Sequence, residues 1–173
     1  MPLKIGEEAP DFELDSHLGH KVRVSGFRNI KNVVVFHPLA WTPVCSNQMQ
    51  NYESDKKWFD SHETHILALS VDAVPAKVGW AKSLGGISYD LLSDFHPKGL
   101  VAERYGVTRD GGITERAILF LLWVSLVLLS SRRCTTFRLF LTTQRSGELW
   151  KCWRRQLNSE TGCFRKDFSP SEH

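Results

Sequence analysis

The chain has 173 residues, 42% of them apolar and 24% charged, which suits one globular domain with a sizeable core. The formal net charge of +3 is too small to argue for a nucleic-acid or acidic partner, and no basic block of five or more residues supplies a polycationic arm. The opening stretch MPLKIGEEAPDFELDS carries acids and no apolar h-region, so it does not read as a secretory signal.

In chain order, KVRVSGF (21–27) alternates as a strand after a turn at His17–His20 that contains Gly19. NVVVFHP (32–38) is a continuous β-branched apolar run that Pro38 stops, the pattern of a central strand buried on both faces. From Pro43 to about Asp60 the sequence reads as a helix. Thr42 stands at its N-cap, Pro43 at N1, and Met49, Tyr52 and Trp58 supply an apolar side. HILALSVDA (65–73) is a second buried strand, and VPAKVGWAKSLGG (74–86) is a short helix closed by its glycine pair. ISYDLLSD forms a short strand and loop, HPKGLVAERYGV contains a helix ending at Gly106, DGG (110–112) is a turn, and ITERAILFL (113–121) opens a further strand. Strands alternating with helices at these spacings argue an α/β sheet covered by helices.

The apolar run Ala117–Leu129 falls short of the roughly 20 residues that span a bilayer, so no membrane partner is expected. The four cysteines are Cys45, Cys134, Cys152 and Cys163. None forms a C-x-x-C pair, and no histidine pair completes a zinc spacing, so neither a disulfide framework nor a metal is expected. A reducing, cytoplasmic setting is the default expectation.

FHPLAWTPVC (36–45) raises the central question. The bland reading of Cys45 is a buried, inert thiol, because cysteine is among the most buried residue types. The sharper reading comes from placement. Cys45 falls in the first turn of a helix that follows a central strand, where open α/β sheets bind ligands, and the free N–H groups there favour a thiolate. Where a disulfide oxidoreductase would carry C-x-x-C, position 42 holds threonine. Its hydroxyl removes disulfide exchange but leaves nucleophilic attack available. Pro38 and Pro43 stiffen the loop.

The run PLAWTPVC resembles the P-x-x-x-T-x-x-C signature of the peroxiredoxins, the alkyl hydroperoxide reductase/thiol-specific antioxidant family. IGEEAPDFEL precedes it, and ALSVD, Trp80, LLSD, GLVAERYGV and ITERAI follow, all in family order, so the similarity spans roughly residues 1–118. The resemblance implies a thioredoxin-like fold, a central mixed β-sheet flanked by helices. It also implies a thiol-dependent peroxidase that reduces hydrogen peroxide and organic hydroperoxides through a cysteine sulfenic acid. In that light Cys45 is the peroxidatic nucleophile, Thr42 a hydrogen-bond donor to thiolate or peroxide, Pro38 a shield against water, and Arg116 the cation that stabilises the thiolate and polarises the O–O bond. Without the motif, Arg116 would read as a surface arginine at a strand start. His37 reads as a hydrogen-bonded structural histidine rather than a general base. Gln48 stands where many relatives carry glutamate, and Asp94 and His96 find no third partner for a triad. No cofactor is implied, because sulfur carries the redox change. The resemblance suggests a homodimer served by an external thiol reductant. The competing expectations are a redox-sensing or partner-binding protein of the same fold with little turnover, and an inactive product.

The remainder departs from the family. Residues 1–117 carry 13 basic and 15 acidic side chains, whereas residues 118–173 carry 9 and 4. The organisation read here is therefore a peroxiredoxin domain over 1–118 and a divergent segment over 119–173, such as a frame-shifted or mis-spliced tail would give. LTTQRSGELW (141–150) is its one candidate strand-turn-strand. Cys134, Cys152 and Cys163 all lie in that segment and match no family motif, which favours a one-cysteine mechanism.

Overall fold

A computed structural model describes residues 3, 8–27, 30–122 and 125–127. Its centre is a seven-stranded mixed sheet in the order β2-β1-β5-β4-β3-β8-β9. The strands are β1 (Glu13–Ser16), β2 (Lys21–Arg23), β3 (Lys31–Phe36), β4 (Thr64–Ser70), β5 (Asp90–Ser93), β8 (Ala117–Leu122) and β9 (Ser125–Val127), with a separate hairpin of β6 (Thr108–Arg109) and β7 (Ile113–Thr114). β3, β4 and β5 run parallel, and β8 lies antiparallel to β3. The β-branched run of β3 is central because it is buried on both faces: Val33, Val34, Val35 and Phe36 are at most 1% exposed.

The helices are α1 (Pro43–Ser54), α2 (Lys56–Ser61), α3 (Val74–Ser83) and α4 (Leu100–Arg104). One sheet face packs against α4 through Phe36, Leu67, Leu92 and Leu119 with Val101, Ala102 and Tyr105. Alternate residues of a strand point to opposite faces, so Val33, Val35, Ile66 and Ala68 face the other way. On that side Trp80 of α3 donates from Nε1 to Ser46 Oγ of α1 at 3.0 Å, and Tyr89 donates to the Met49 carbonyl at 2.9 Å.

Four elements differ from the sequence reading. The helix expected over 43–60 is two helices. Asp55 leaves helical geometry at φ −92°, ψ 2°, its carbonyl accepts from Trp58 and Phe59, and the redirected α2 brings Phe59 to 6.0 Å from the Tyr52 ring. The strand expected over 21–27 stops at Arg23, and Val24–Phe27 is a 3₁₀ turn. Asp11 explains the stop: its carboxylate accepts both the N–H and the hydroxyl of Ser25, drawing the chain out of the ladder. β1 pairs across the His17–His20 turn with β2 although no strand was expected there. The strand over 113–121 is broken at Glu115–Arg116 into β7 and β8.

β8 continues past residue 118 to Leu122 and pairs with β9. Residues 128–173, with Cys134, Cys152, Cys163 and the candidate turn at 141–150, lie outside the described residues. Among the described residues no helix is long and apolar enough to cross a membrane, and no group of three metal-ligating side chains gathers.

Candidate active site

Three features of the chain build the site. The first is the break between β3 and α1. Pro38 and Pro43 bound a short loop that delivers Cys45 into the first turn of α1, where the early N–H groups have no intrahelical carbonyl. Thr42 occupies the N-cap, and its carbonyl accepts the Ser46 N–H at 2.9 Å. Its hydroxyl does not cap the helix; it donates to the Leu39 carbonyl at 3.2 Å. Pro38 is half-buried beside it. Trp41 holds a left-handed φ of 66°, an uncommon and strained conformation for a large side chain. It turns the indole outward, so Trp41 and Val44 are 58% and 57% exposed while Cys45 is 1% exposed.

The second feature is the register of β8. Phe36 pairs with Ala117, so Arg116 lies level with the end of β3, next to the loop. The Thr114 hydroxyl donates to the His37 carbonyl at 2.5 Å and anchors that crossing. Arg116 Nη2 stands 3.3 Å from Cys45 Sγ, and Nη1 donates to Gln48 Oε1. Gln48 follows Cys45 by three residues and so shares its helix face. Because glutamine is neutral, it orients the guanidinium without cancelling its charge. The sulfur therefore faces a fixed cation about 70 residues away in sequence.

The third feature lies beneath the loop. His37 is fully buried, and its ring packs 5.3 Å from Trp80. Burial lowers its pKa well below 6.5, with the charges of Lys77 and Arg116 adding to the effect. It is thus a neutral packing group. The sequence predicts a hydrogen-bonded structural histidine; the ring lies beside the Leu39 backbone, which raises its pKa slightly against burial. Asp94 is not a triad member either. Its carboxylate accepts the Val101 and Ala102 N–H groups at 3.2 and 2.9 Å, at the start of α4.

A cavity of about 280 Å³, lined among others by Asp11, Val24, Asn32 and Leu121, opens at the opposite end of the sheet from Cys45. No cysteine lines it, and the thiol chemistry belongs to the site around the Cys45 sulfur.

The arrangement of thiol, helix start and arginine can be compared with known proteins. A family model described as the AhpC/TSA family matches residues 5–122. The chain belongs to this family, the peroxiredoxins. Alkyl hydroperoxide reductase E of Mycobacterium tuberculosis is 37% identical over 116 residues, which cover 66% of this chain and 75% of that protein. The 1-Cys peroxiredoxin of Dictyostelium discoideum is 31% identical over 127 residues, 69% of this chain and 52% of that one. Among solved structures, peroxidoxin BcpB from Mycobacterium tuberculosis superposes with a TM-score of 0.63 at 26% identity, covering 73% of this chain and 84% of its own. AhpC of Mycobacterium tuberculosis, at 18% identity, a TM-score of 0.73 and coverage of 91% and 99%, shares the fold. The mixed sheet with its flanking helices is therefore the thioredoxin-like peroxiredoxin fold expected from the sequence.

Of the four residues picked out in the sequence, Cys45 and Arg116 are brought into contact, while Thr42 and Pro38 line the loop between them. Sequence reasoning passed over Lys77 altogether. It is fully buried and donates from Nζ to Ser70 Oγ at 2.6 Å. One signal was present: Lys77 stands three and four residues before Trp80 and Ala81, which places it on the apolar stripe of α3 rather than on its wet face.

Proposed function

We propose that this peroxiredoxin is a thiol-dependent peroxidase in which Cys45 reduces hydrogen peroxide and organic hydroperoxides. The observation that carries the assignment to Cys45 is the 3.3 Å approach of the Arg116 guanidinium to its sulfur. The Cys45 thiolate attacks one peroxide oxygen, an S–O bond forms as the O–O bond breaks, and the departing oxygen leaves as water or alcohol after taking a proton. Cys45 is left as a sulfenic acid. Negative charge moves from sulfur to the leaving oxygen along this path. A cation already fixed beside the sulfur stabilises that transfer without reorganising. Thr42 and Pro38 shape the entrance, the first as a hydroxyl donor within the loop and the second by keeping water from the sulfur.

A thiol from outside then attacks the sulfenic sulfur and releases water. A second thiol cleaves the mixed disulfide and returns Cys45 to its reduced form. A thioredoxin-like protein or a small thiol fits this role, and a cytoplasmic, reducing setting would supply either. The exposed Leu39, Trp41 and Val44 around the loop favour pairing of two copies there, consistent with a homodimer. The decisive experiment follows peroxide consumption with a thiol donor in the wild type and in Cys45→Ser. Turnover should vanish in the variant while its thermal transition stays in place; undiminished turnover in Cys45→Ser would transfer the chemistry to another residue.

A further inference from the structure

A chain of hydrogen bonds runs from the interior to the loop in front of Cys45. Lys77 Nζ donates to Ser70 Oγ at 2.6 Å, and Ser70 Oγ donates to Asp72 Oδ2 at 2.6 Å. The same Oδ2 accepts the backbone N–H of Ala40 at 2.8 Å. Ala40 stands midway between Pro38 and Thr42. The far end of the chain is equally fixed, because Ser93 Oγ donates to the Asp72 carbonyl at 2.7 Å.

An ammonium buried to 0% exposure is costly unless other charges answer it. The groups that face Lys77 come from every neighbouring element. Asp72 follows β4, Asp94 follows β5, and Cys45 lies in α1; each favours the charged lysine, in that order. His37, at the end of β3, and His17, in the turn after β1, face it as groups whose own protonation it opposes. Burial is the largest influence and brings Lys77 down to about 7.

We infer that Lys77 is a positioning residue for the peroxidase reaction: through Ser70 and Asp72 it holds the Pro38–Thr42 loop in front of Cys45. The inference rests on the reading of Cys45 as the peroxide nucleophile. Arg116, just before β8, meets the sulfur directly; Lys77 acts on the loop through Ser70 and Asp72.

The test uses the full chain and two readouts, the rate of Cys45 alkylation at fixed pH followed by peptide mass spectrometry and the rate of peroxide reduction. In Lys77→Met the peroxide rate near neutrality should fall about tenfold, while alkylation, which needs no aligned peroxide, changes far less. Ser70→Ala keeps the lysine but cuts the tie, so its peroxide rate should also fall, several-fold, with alkylation again little changed. Thermal transitions and near-ultraviolet dichroism establish that each variant is folded. A folded Lys77→Met with the wild-type peroxide rate, or with alkylation slowed as much as peroxide reduction, overturns the inference. So does Ser70→Ala with the wild-type peroxide rate, which decides the matter even where Lys77→Met fails to fold. If the wild type alkylates at Cys45 but reduces no peroxide, the failure belongs to the assignment of Cys45 and not to Lys77.

Discussion

The two faces of the sheet carry different burdens. Toward α4 the contacts are apolar or aromatic: Phe12 and Phe36 meet the Tyr105 ring at 6.0 and 5.4 Å, over Leu67, Leu69 and Leu92. Toward α1 and α3 the same strands present His37 and Ser70 at their carboxyl ends, and the helices answer with Cys45, Gln48 and Lys77. β3 and β4 serve both sides by alternation, giving Phe36 to the first face and Val35 to the second. One face thus supplies cohesion, and the other accepts buried polar groups because that cohesion can carry their cost.

The largest expected departures come from attacking each face in turn. Leu67→Ala removes a fully buried side chain from the apolar face and should cost about 2–5 kcal/mol of stability in a denaturant titration. The peroxide rate per folded molecule should stay near that of the wild type. Arg116→Gln acts on the other face. It should lower the peroxide rate about a hundredfold, equivalent to about 2.7 kcal/mol of barrier, with an unfolding midpoint close to the wild type. If Leu67→Ala impaired chemistry as strongly as folding, the division between the faces would fail.

The pH dependence of stability sharpens the contrast, because His37 and Lys77 both sit on the second face. His37 is held well below 6.5 by burial, so only the unfolded chain takes up its proton as pH falls through 6.5, and stability is lost on that side. Lys77 sits at about 7 against an ordinary 10.5. Between those values the unfolded chain holds the proton that the folded chain releases, so stability should rise as pH increases from 7 toward 10. Denaturant titrations from pH 5 to pH 9 should show a climbing curve, and Lys77→Met should flatten its alkaline arm. The smallest effect lies away from both faces. Glu63 follows α2 with a left-handed φ of 52°, a conformation that favours glycine, so Glu63→Gly should raise stability by up to about 1 kcal/mol.

Much of this organisation was legible in the chain, for reasons that can be named. β3 announces itself as an apolar β-branched run and β4 as an apolar run, and Gly85, Gly86, Gly106, Gly111 and Gly112 all take the positive φ their turns require. The signature at 38–45 and the arginine at 116 point to chemistry because their spacing follows a known pattern. The break at Asp55 is not readable in that way, since KKWFDS continues to suit a helix and only the packing of Phe59 on Tyr52 reveals the bend. Ser25 looks like part of an alternating strand until the Asp11 carboxylate, fourteen residues earlier, is found to hold it. Lys77 is hidden by the ordinary expectation that lysine faces water. Its stripe position next to Trp80 was the warning.

The pairing of β8 with β3 has a consequence for aim. Arg116 owes its place to the Phe36–Ala117 step of a ladder that continues to Asn32–Leu121 and is backed by β9. Sliding that ladder by one residue would turn each β8 side chain to the opposite face, and the guanidinium would swing off the sulfur although no atom near Cys45 had changed. The outer hairpin thus works as a sighting bar: errors made at its far end are read out as misalignment at the muzzle, several strand residues away.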